Sequence, residues 1–172
     1  MTLSKLLLGL GVAVSVLSCS SESAEPKKSC PETDAAVSFQ AEVLPVLRRA
    51  CGISSSCHGL PSGSQAELYL GPKLSEPDPT AAERTALIAR LVGQPSKTAP
   101  AMNLITAGDP SQSFLQHKLD DTHNDQGLTC TAQPGAESGQ PCGDSMPQGG
   151  PRLDACERDL FRRWIAQGTA DN

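Results

Sequence analysis

The stretch Cys51-Gly52-Ile53-Ser54-Ser55-Ser56-Cys57-His58 follows the first segment of the chain that has a helical pattern. Apolar residues recur in that segment at spacings of four, three and one, which places them on one helix face: Phe39, Val43, Val46 and Leu47. Pro45 interrupts the pattern, and proline suits the first turn of a helix. We therefore expect the regular helix to start at Pro45 and to end near Cys51, so that the cysteines and the histidine lie on the loop that leaves it.

A Cys-His pair that closes a short cysteine loop is the arrangement by which proteins attach c-type haem. The two thiols add to the haem vinyl groups, and the adjacent histidine binds the iron because the thioether tethers hold it beneath the ring. Far downstream, Met146 offers a thioether sulfur on a glycine-rich loop that Pro147 makes rigid, suited to the opposite face of the iron. Cys51, Cys57, His58 and Met146 are therefore the candidate residues for a site that would hold one iron-containing haem c.

Helical periodicity recurs in three later stretches, which are residues 80–92, 110–119 and 154–168. Thr80 and Glu83 have the spacing of a capping box, and so do Asp154 and Glu157. The last helix would bury the apolar side chains Leu160, Phe161, Trp164 and Ile165 and stop at Gly168. No credible β-hairpin pattern occurs, so we predict an all-α domain with long loops.

The composition leaves little material for a self-sufficient core. The chain has three Phe, one Tyr and one Trp, while Gly and Pro together make up 29 of its 172 residues. Many of the Gly and Pro residues lie in 59–79 and 124–152, which we therefore expect to be loops. Loops of that length count against a compact domain unless something fills the space beneath them. A single domain of about 140 residues with so few large apolar side chains needs disulfides, a bound cofactor, or both.

Residues 1–18 have the order of an export signal, with Lys5 first, then an apolar and small-residue run over 6–17, then a cleavage site. The run is too short to span a membrane, which takes roughly 20 apolar residues. Val16-Leu17-Ser18-Cys19 resembles the bacterial lipobox, and this resemblance implies that Cys19 carries a lipid. The alternative is a plain secretory signal, with Cys19 paired to another cysteine.

With a lipid on Cys19, residues 19–36 form a flexible tether, because most of them are polar or charged and lack bulky apolar side chains. Residues 37–172 then form one exported domain, anchored by its lipid to a membrane and facing the periplasm or the cell surface. The net charge of −5 and the absence of a basic cluster argue against a nucleic-acid partner. We expect the arginine pairs 48–49 and 162–163 to lie on solvated helix faces.

Seven cysteines minus the one reserved for the lipid leave an even six, in a compartment that permits disulfides. With the two motif cysteines set aside, the candidates for disulfides are Cys30, Cys130, Cys142 and Cys156. Proximity in sequence favours a Cys130–Cys142 bond, which would restrict the loop that precedes Met146. Cys30 would then pair with Cys156, although four cysteines allow three connectivities and all three remain open.

The sequence resembles the small c-type cytochrome domains of exported bacterial proteins. The resemblance covers residues 37–170 and rests on four segments, which are 39–47 leading into Cys57-His58-Gly59, Gly108-Asp109-Pro110 with Ser113 before Leu115, Met146-Pro147, and Trp164-Ile165 to Gly168. It implies a cytochrome c-like fold of three to five helices and long loops wrapped round a haem, with the first and last helices crossing. It also implies His58 as the proximal and Met146 as the distal iron ligand, with Cys51 and Cys57 as thioether anchors.

The motif departs from that family in one respect, because five residues separate its cysteines where two are usual. A longer loop must bulge away from the haem edge if both thiols are to bond to it. Three outcomes are open: haem held by both cysteines, haem held by Cys57 alone, or a Cys51–Cys57 disulfide without haem. Met102, His117 and His123 are alternative ligands, although packing or solvent exposure explains each of them more simply.

These residues predict an electron-transfer protein and not an enzyme. Two axial ligands leave no open iron position for a substrate, and the chain shows no nucleophile motif, paired carboxylates or phosphate loop. A His/Met-ligated haem has a raised reduction potential, and a lipid anchor keeps the carrier at a membrane surface where redox partner proteins dock. The alternative is a haem-free lipoprotein that retains the fold, is held by three disulfides, and serves in binding or scaffolding.

Overall fold

The computed structural model describes residues 30, 35–62, 64–131 and 136–172 and shows a helical protein. The predicted signal peptide, residues 1–18, and the predicted lipid-anchor residue Cys19 lie outside this part of the chain. Of the predicted tether over 19–36, only residues 30, 35 and 36 are described. Within the described ranges, no helix is both long and apolar enough to cross a membrane.

The first helix, α1, is a continuous segment made of wide π-helical turns over Phe39–Val43, one α-helical turn over Leu44–Val46 and further π-helical turns over Leu47–Cys51. The prediction that the regular helix starts at Pro45 is wrong, because Ser38 supplies a start signal upstream of it. The Ser38 hydroxyl accepts a hydrogen bond from the Ala41 amide at 3.1 Å, and the Glu42 carboxylate accepts one from the Ser38 amide at 2.8 Å. Wider turns also relieve the clash between a proline ring and the preceding turn of the helix.

Three further helices follow, which are α2 over Ala81–Leu91, α3 over Phe114–Asp120 and α4 over Ala155–Ala166. The capping boxes predicted for α2 and α4 are both confirmed. The predicted helix over 110–119 is split, because the extended backbone of Ser113 separates a 3-10 turn, Pro110–Gln112, from α3. Two more 3-10 turns occur, at Gln65–Glu67 and His123–Asp125.

The all-α prediction agrees with the described ranges, where no β-strand occurs. Only two isolated bridges are present there, Val92 with Ile105 and Pro95 with Asn103. Long loops connect the helices, and the longest lies between α3 and α4, as predicted. These loops cover the side of the molecule on which the candidate site lies.

The start of helix α1 packs against α4. The Phe39 ring at the start of α1 lies against the Trp164 ring near the end of α4, with centroids 5.1 Å apart and planes tilted by 32°. At the opposite end, Arg49 of α1 forms an ion pair with Glu157 in the first turn of α4. Phe161, Trp164 and Ile165 are buried and Leu160 is partly buried, which confirms the predicted inner face of α4. Burial of side chains of this size stabilises the fold by about 1.5–3 kcal/mol each.

The described part of the chain contains two disulfides. Cys130 is bonded to Cys142, 12 positions away, and Cys30 is bonded to Cys156, 126 positions away. This is the connectivity that proximity in sequence favours. The first bond closes the loop that precedes Met146, and the second joins the start of the domain to the first turn of α4.

Candidate cofactor site

A cavity of about 1430 Å³ lies between the end of α1, helix α3 and the loops before α2 and α4. Its wall includes all four side chains predicted to hold a cofactor: Cys51, Cys57, His58 and Met146. Much of the remaining wall is apolar, with contributions from Leu68, Leu70, Leu104, Phe114, Leu115 and Leu119. Small-molecule and cofactor sites typically occupy about 300–1,000 Å³, so this cavity is large for a domain of this size.

The 51–58 loop closes at its base and bulges at its tip. The His58 amide donates a hydrogen bond to the Cys51 carbonyl at 3.0 Å, which brings the two ends of the loop together. At the tip, the Ile53 side chain is 56% exposed. Gly59 packs directly on the base, since its amide donates to the Ser54 carbonyl at 3.2 Å. Ile53 and Ser56 also belong to the cavity wall, so the loop is partly exposed to solvent while both cysteines remain at the cavity.

His58 is buried and held in one orientation. Its Nδ1 lies 2.9 Å from the carbonyl oxygen of Leu68, and because a carbonyl only accepts hydrogen bonds, Nδ1 carries the proton. Nε2 is then the basic nitrogen. Burial lowers the pKa of His58, although the hydrogen bonds to the backbone at Leu68 and Gln65 act in the opposite direction. The imidazole is therefore neutral at pH 7, which is the form that binds metal ions.

The two motif cysteines are free thiols in the described part of the chain. Cys51 is buried against the apolar core, and Cys57 is partly exposed. Burial, with a smaller contribution from the neighbouring Cys57, raises the pKa of the Cys51 thiol to about 12. The Cys51–Cys57 disulfide, one of the three outcomes left open by the sequence, is not formed here.

Met146 enters the cavity wall from the loop before α4. Its amide donates a hydrogen bond to the Lys118 carbonyl in α3 at 2.9 Å. The Lys118 ammonium also donates to the carbonyls of Cys142 and Asp144, at 2.6 Å each. Met146 is thus carried by a loop that is bonded to α3 at several points, and it is partly buried against the main apolar cluster.

The alternative ligands considered from the sequence have other roles in the structure. Met102 packs in a second apolar cluster with Ala99 and Phe114. Both ring nitrogens of His117 have partners, Thr122 Oγ1 and the Ser111 carbonyl, each at 2.9 Å. His123 is fully buried, and its Nε2 donates to the Gly143 carbonyl at 2.8 Å. None of the three belongs to the wall of the large cavity as the structure describes it.

Two buried cations were missed by the sequence analysis. Arg48 was expected on a solvated face, but it is 6% exposed and donates to the carbonyls of the loop over 72–76. Lys118 is equally buried and was not singled out. The position of each cation in the helical repeat could have revealed its burial. Lys118 stands between Leu115 and Leu119 on the apolar face of α3. Arg48 follows Leu44 by four positions on the apolar face of α1. A cation at an apolar position indicates a polar target inside the fold.

Comparison with known proteins adds no further constraint. No protein family matches the sequence, and no curated protein or solved structure shows significant similarity to it. Among the described residues, no group of three or more His, Cys, Asp or Glu side chains could hold a metal ion. A haem iron, by contrast, takes only two axial ligands from the protein.

Proposed function

We propose that this protein is a membrane-anchored electron-transfer protein that carries one covalently attached haem c in the large cavity. We further propose that the fold is cytochrome c-like, with α1 and α4 as the crossing first and last helices. The observation that carries the proposal is that the 51–58 motif and Met146, which are far apart in the chain, line the same cavity.

The state of His58 supports its assignment as the proximal ligand. Metal-binding histidines commonly donate their second ring N–H to a backbone carbonyl, which fixes the tautomer and the ring orientation. His58 has that arrangement with Leu68, which leaves Nε2 as the basic nitrogen of a residue in the cavity wall.

The position of the two thiols supports covalent attachment despite the longer loop. Both sulfurs belong to residues of the cavity wall, and neither is bonded to another cysteine, so both thiols are free to form thioethers. The hydrogen bond from His58 to Cys51 keeps the base of the loop closed. Attachment through both cysteines or through Cys57 alone is compatible with this arrangement.

When bound, the haem would supply one-electron redox chemistry at a potential that a Met ligand raises. Cys51 and Cys57 would attach the haem, and His58 and Met146 would ligate its iron. The apolar wall would keep water away from the haem, which also affects the potential. The protein would then pass electrons between partner proteins without binding a substrate.

The proposal places the protein outside the cytoplasm, held by a lipid on Cys19 at a membrane that faces the periplasm or the cell surface. The two disulfides support this, because disulfides persist in oxidising compartments. The acidic net charge of −5 favours redox partner proteins with a basic or weakly charged docking surface.

The test is expression of the full chain in a bacterium that matures c-type cytochromes, followed by a denaturing gel of the membrane fraction with haem peroxidase staining. We expect a stained band at the mass of the protein that disappears in His58→Ala. His117→Ala is the matched control and should keep the stain, because His117 bonds to Thr122 and Ser111 outside the cavity wall.

Absence of stain in the wild type would refute the proposal. If peptide mapping then found Cys51 and Cys57 in one disulfide, the protein would be the haem-free, disulfide-stapled binding or scaffold module. If the wild type stains, Cys51→Ser and Cys57→Ser distinguish the modes of attachment. Loss of stain only in Cys57→Ser would assign a single thioether, and a reduced stain in both variants would assign two.

A further inference from the structure

Lys118 is a buried lysine in the wall of the cavity that the proposed ligand set does not use. Only 7% of it is exposed, and its ammonium lies 5.6 Å from the centre of the Phe114 ring. Burying an ammonium group is unfavourable unless its hydrogen bonds are satisfied. Here two of its three N–H groups donate to the Cys142 and Asp144 carbonyls, at 2.6 Å each.

Those two carbonyls belong to the loop that carries Met146. The carbonyl of Gly143, which lies between them in the chain, also accepts hydrogen bonds. The Gly143 carbonyl accepts hydrogen bonds from His123 Nε2 at 2.8 Å and from Asn124 Nδ2 at 3.2 Å. The Met146 amide donates to the Lys118 carbonyl at 2.9 Å. Lys118 thus bonds this loop on both sides of Gly143 with its side chain and at Met146 with its backbone.

We propose that Lys118 is a positioning residue, which holds the 142–146 loop on α3 and thereby sets the Met146 sulfur at the cavity. Its relevance to iron binding rests on the proposed function, whereas the attachment of the loop to α3 is a property of the chain itself. A loop that is already ordered loses less conformational entropy when its side chain binds a ligand, and ligand atoms fixed by their supporting residues bind more tightly.

The attachment is tested on the haem-free full chain by amide hydrogen exchange with mass spectrometry, which needs no cofactor. Lys118→Met keeps the length of the side chain but removes the donors to both carbonyls. We expect peptides covering residues 142–148 to exchange roughly tenfold faster or more, the order expected for losing charge-assisted hydrogen bonds. Peptides of α2, residues 81–91, should keep their wild-type rates. Lys97→Met is the matched control, because the Lys97 side chain is 70% exposed and also lies at the cavity.

If Lys118→Met does not fold, Lys118→Gln replaces it in the exchange experiment. The shorter Gln side chain can donate to one of the two carbonyls, so it should give intermediate exchange rates. Unchanged exchange in 142–148 in a folded variant would overturn the proposal. Equal acceleration in 142–148 and 81–91 would also overturn it, because Lys118 would then support the whole fold and not this loop in particular.

The haem-loaded chain gives the second readout, which is the methionine-to-iron absorption of the oxidised form together with the reduction potential. We expect Lys118→Leu, which brings no second thioether to the cavity wall, to keep the covalent stain but to lose the methionine signal and to lower the potential, since Met ligation raises it. Full retention of the methionine signal in Lys118→Leu would refute the positioning role. Absence of stain in the wild type would refute the haem proposal alone, because the exchange result does not depend on haem.

Discussion

Replacement of Gly59 by alanine introduces a methyl group at the base of the 51–58 loop. The added Cβ would lie 2.4 Å from the carbonyl oxygen of Gly52 and 3.0 Å from that of Ser54. Carbon and carbonyl oxygen atoms in contact normally lie about 3.3–3.6 Å apart. Both obstacles are backbone atoms, so neither can move aside by a change of rotamer, and the loop base itself must shift.

The cost follows from this overlap. Insertion of a methyl group into a well-packed site typically costs about 1–3 kcal/mol. For a domain of this size, each kcal/mol corresponds to about 4 °C in Tm, so we expect Gly59→Ala to lower Tm by about 4–12 °C. Gly150→Ala is the matched control, because Gly150 lies at the same cavity and no described atom lies within 4 Å of its added Cβ. Its stability should change by less than about 0.5 kcal/mol.

Thermal unfolding followed by circular dichroism measures both variants, and haem staining per mole of protein provides a second readout. Because His58 precedes Gly59 and donates its amide to Cys51, a shift of the loop base should also reduce the amount of haem attached. A Tm of Gly59→Ala equal to that of Gly150→Ala would show that the loop does not have the close packing described here.

Three further predictions concern pH, disulfides and buried charge. Burial lowers the pKa of both buried histidines, His58 and His123, from 6.5, so the unfolded chain binds more protons than the folded one. The haem-free protein should therefore lose stability as pH falls below about 6.5. Denaturant titrations between pH 7.5 and 5.5 measure this loss, which should be smaller in His123→Gln, and a stability that does not change with pH would contradict the prediction. Removal of the 12-position Cys130–Cys142 bond by a double alanine substitution should cost about 3 kcal/mol in a urea titration, and a cost near zero would mean that the reduced loop is equally ordered. Arg48→Met leaves three loop carbonyls without their donor and should lower the free energy of unfolding by about 3 kcal/mol. The same change at its half-exposed neighbour Arg49 should lower it by less than about 1 kcal/mol. Equal losses of stability in the two variants would refute this prediction.

Local signals in the sequence predicted the helices that have their own caps. The boxes at the starts of α2 and α4 fix those helices, because the bonds lie within four residues and need no tertiary partner. The predicted start of α1 at Pro45 is wrong because Ser38 caps the helix seven residues upstream. The split before α3 was also missed, because the Ser113 hydroxyl donates to the Asp109 carbonyl and accepts from the Thr106 amide, and neither bond is visible in a periodicity.

Cys51, Cys57, His58 and Met146 were proposed from their chemistry and from the resemblance to c-type cytochrome domains. The structure brings all four to one cavity wall, and their binding of haem stays a prediction. Lys118 was overlooked, because a lysine has no sequence signature that indicates which distant carbonyl it binds. The assignment of haem and of electron transfer stays a prediction that staining and spectroscopy decide.

The sequence by itself determined the all-α class, the caps of α2 and α4, the inner face of α4 and the residue types available for a cofactor, because these depend on neighbours a few positions apart. Only the tertiary structure shows that Met146 and His58 line the same cavity, that the Leu68 carbonyl is bonded to the His58 ring, and that Lys118 donates to the Cys142 carbonyl. The residues of each pair are 10 to 88 positions apart, and at least one of them lies on a loop. Loop conformation depends on packing and on specific hydrogen bonds and carries no periodic signal along the chain.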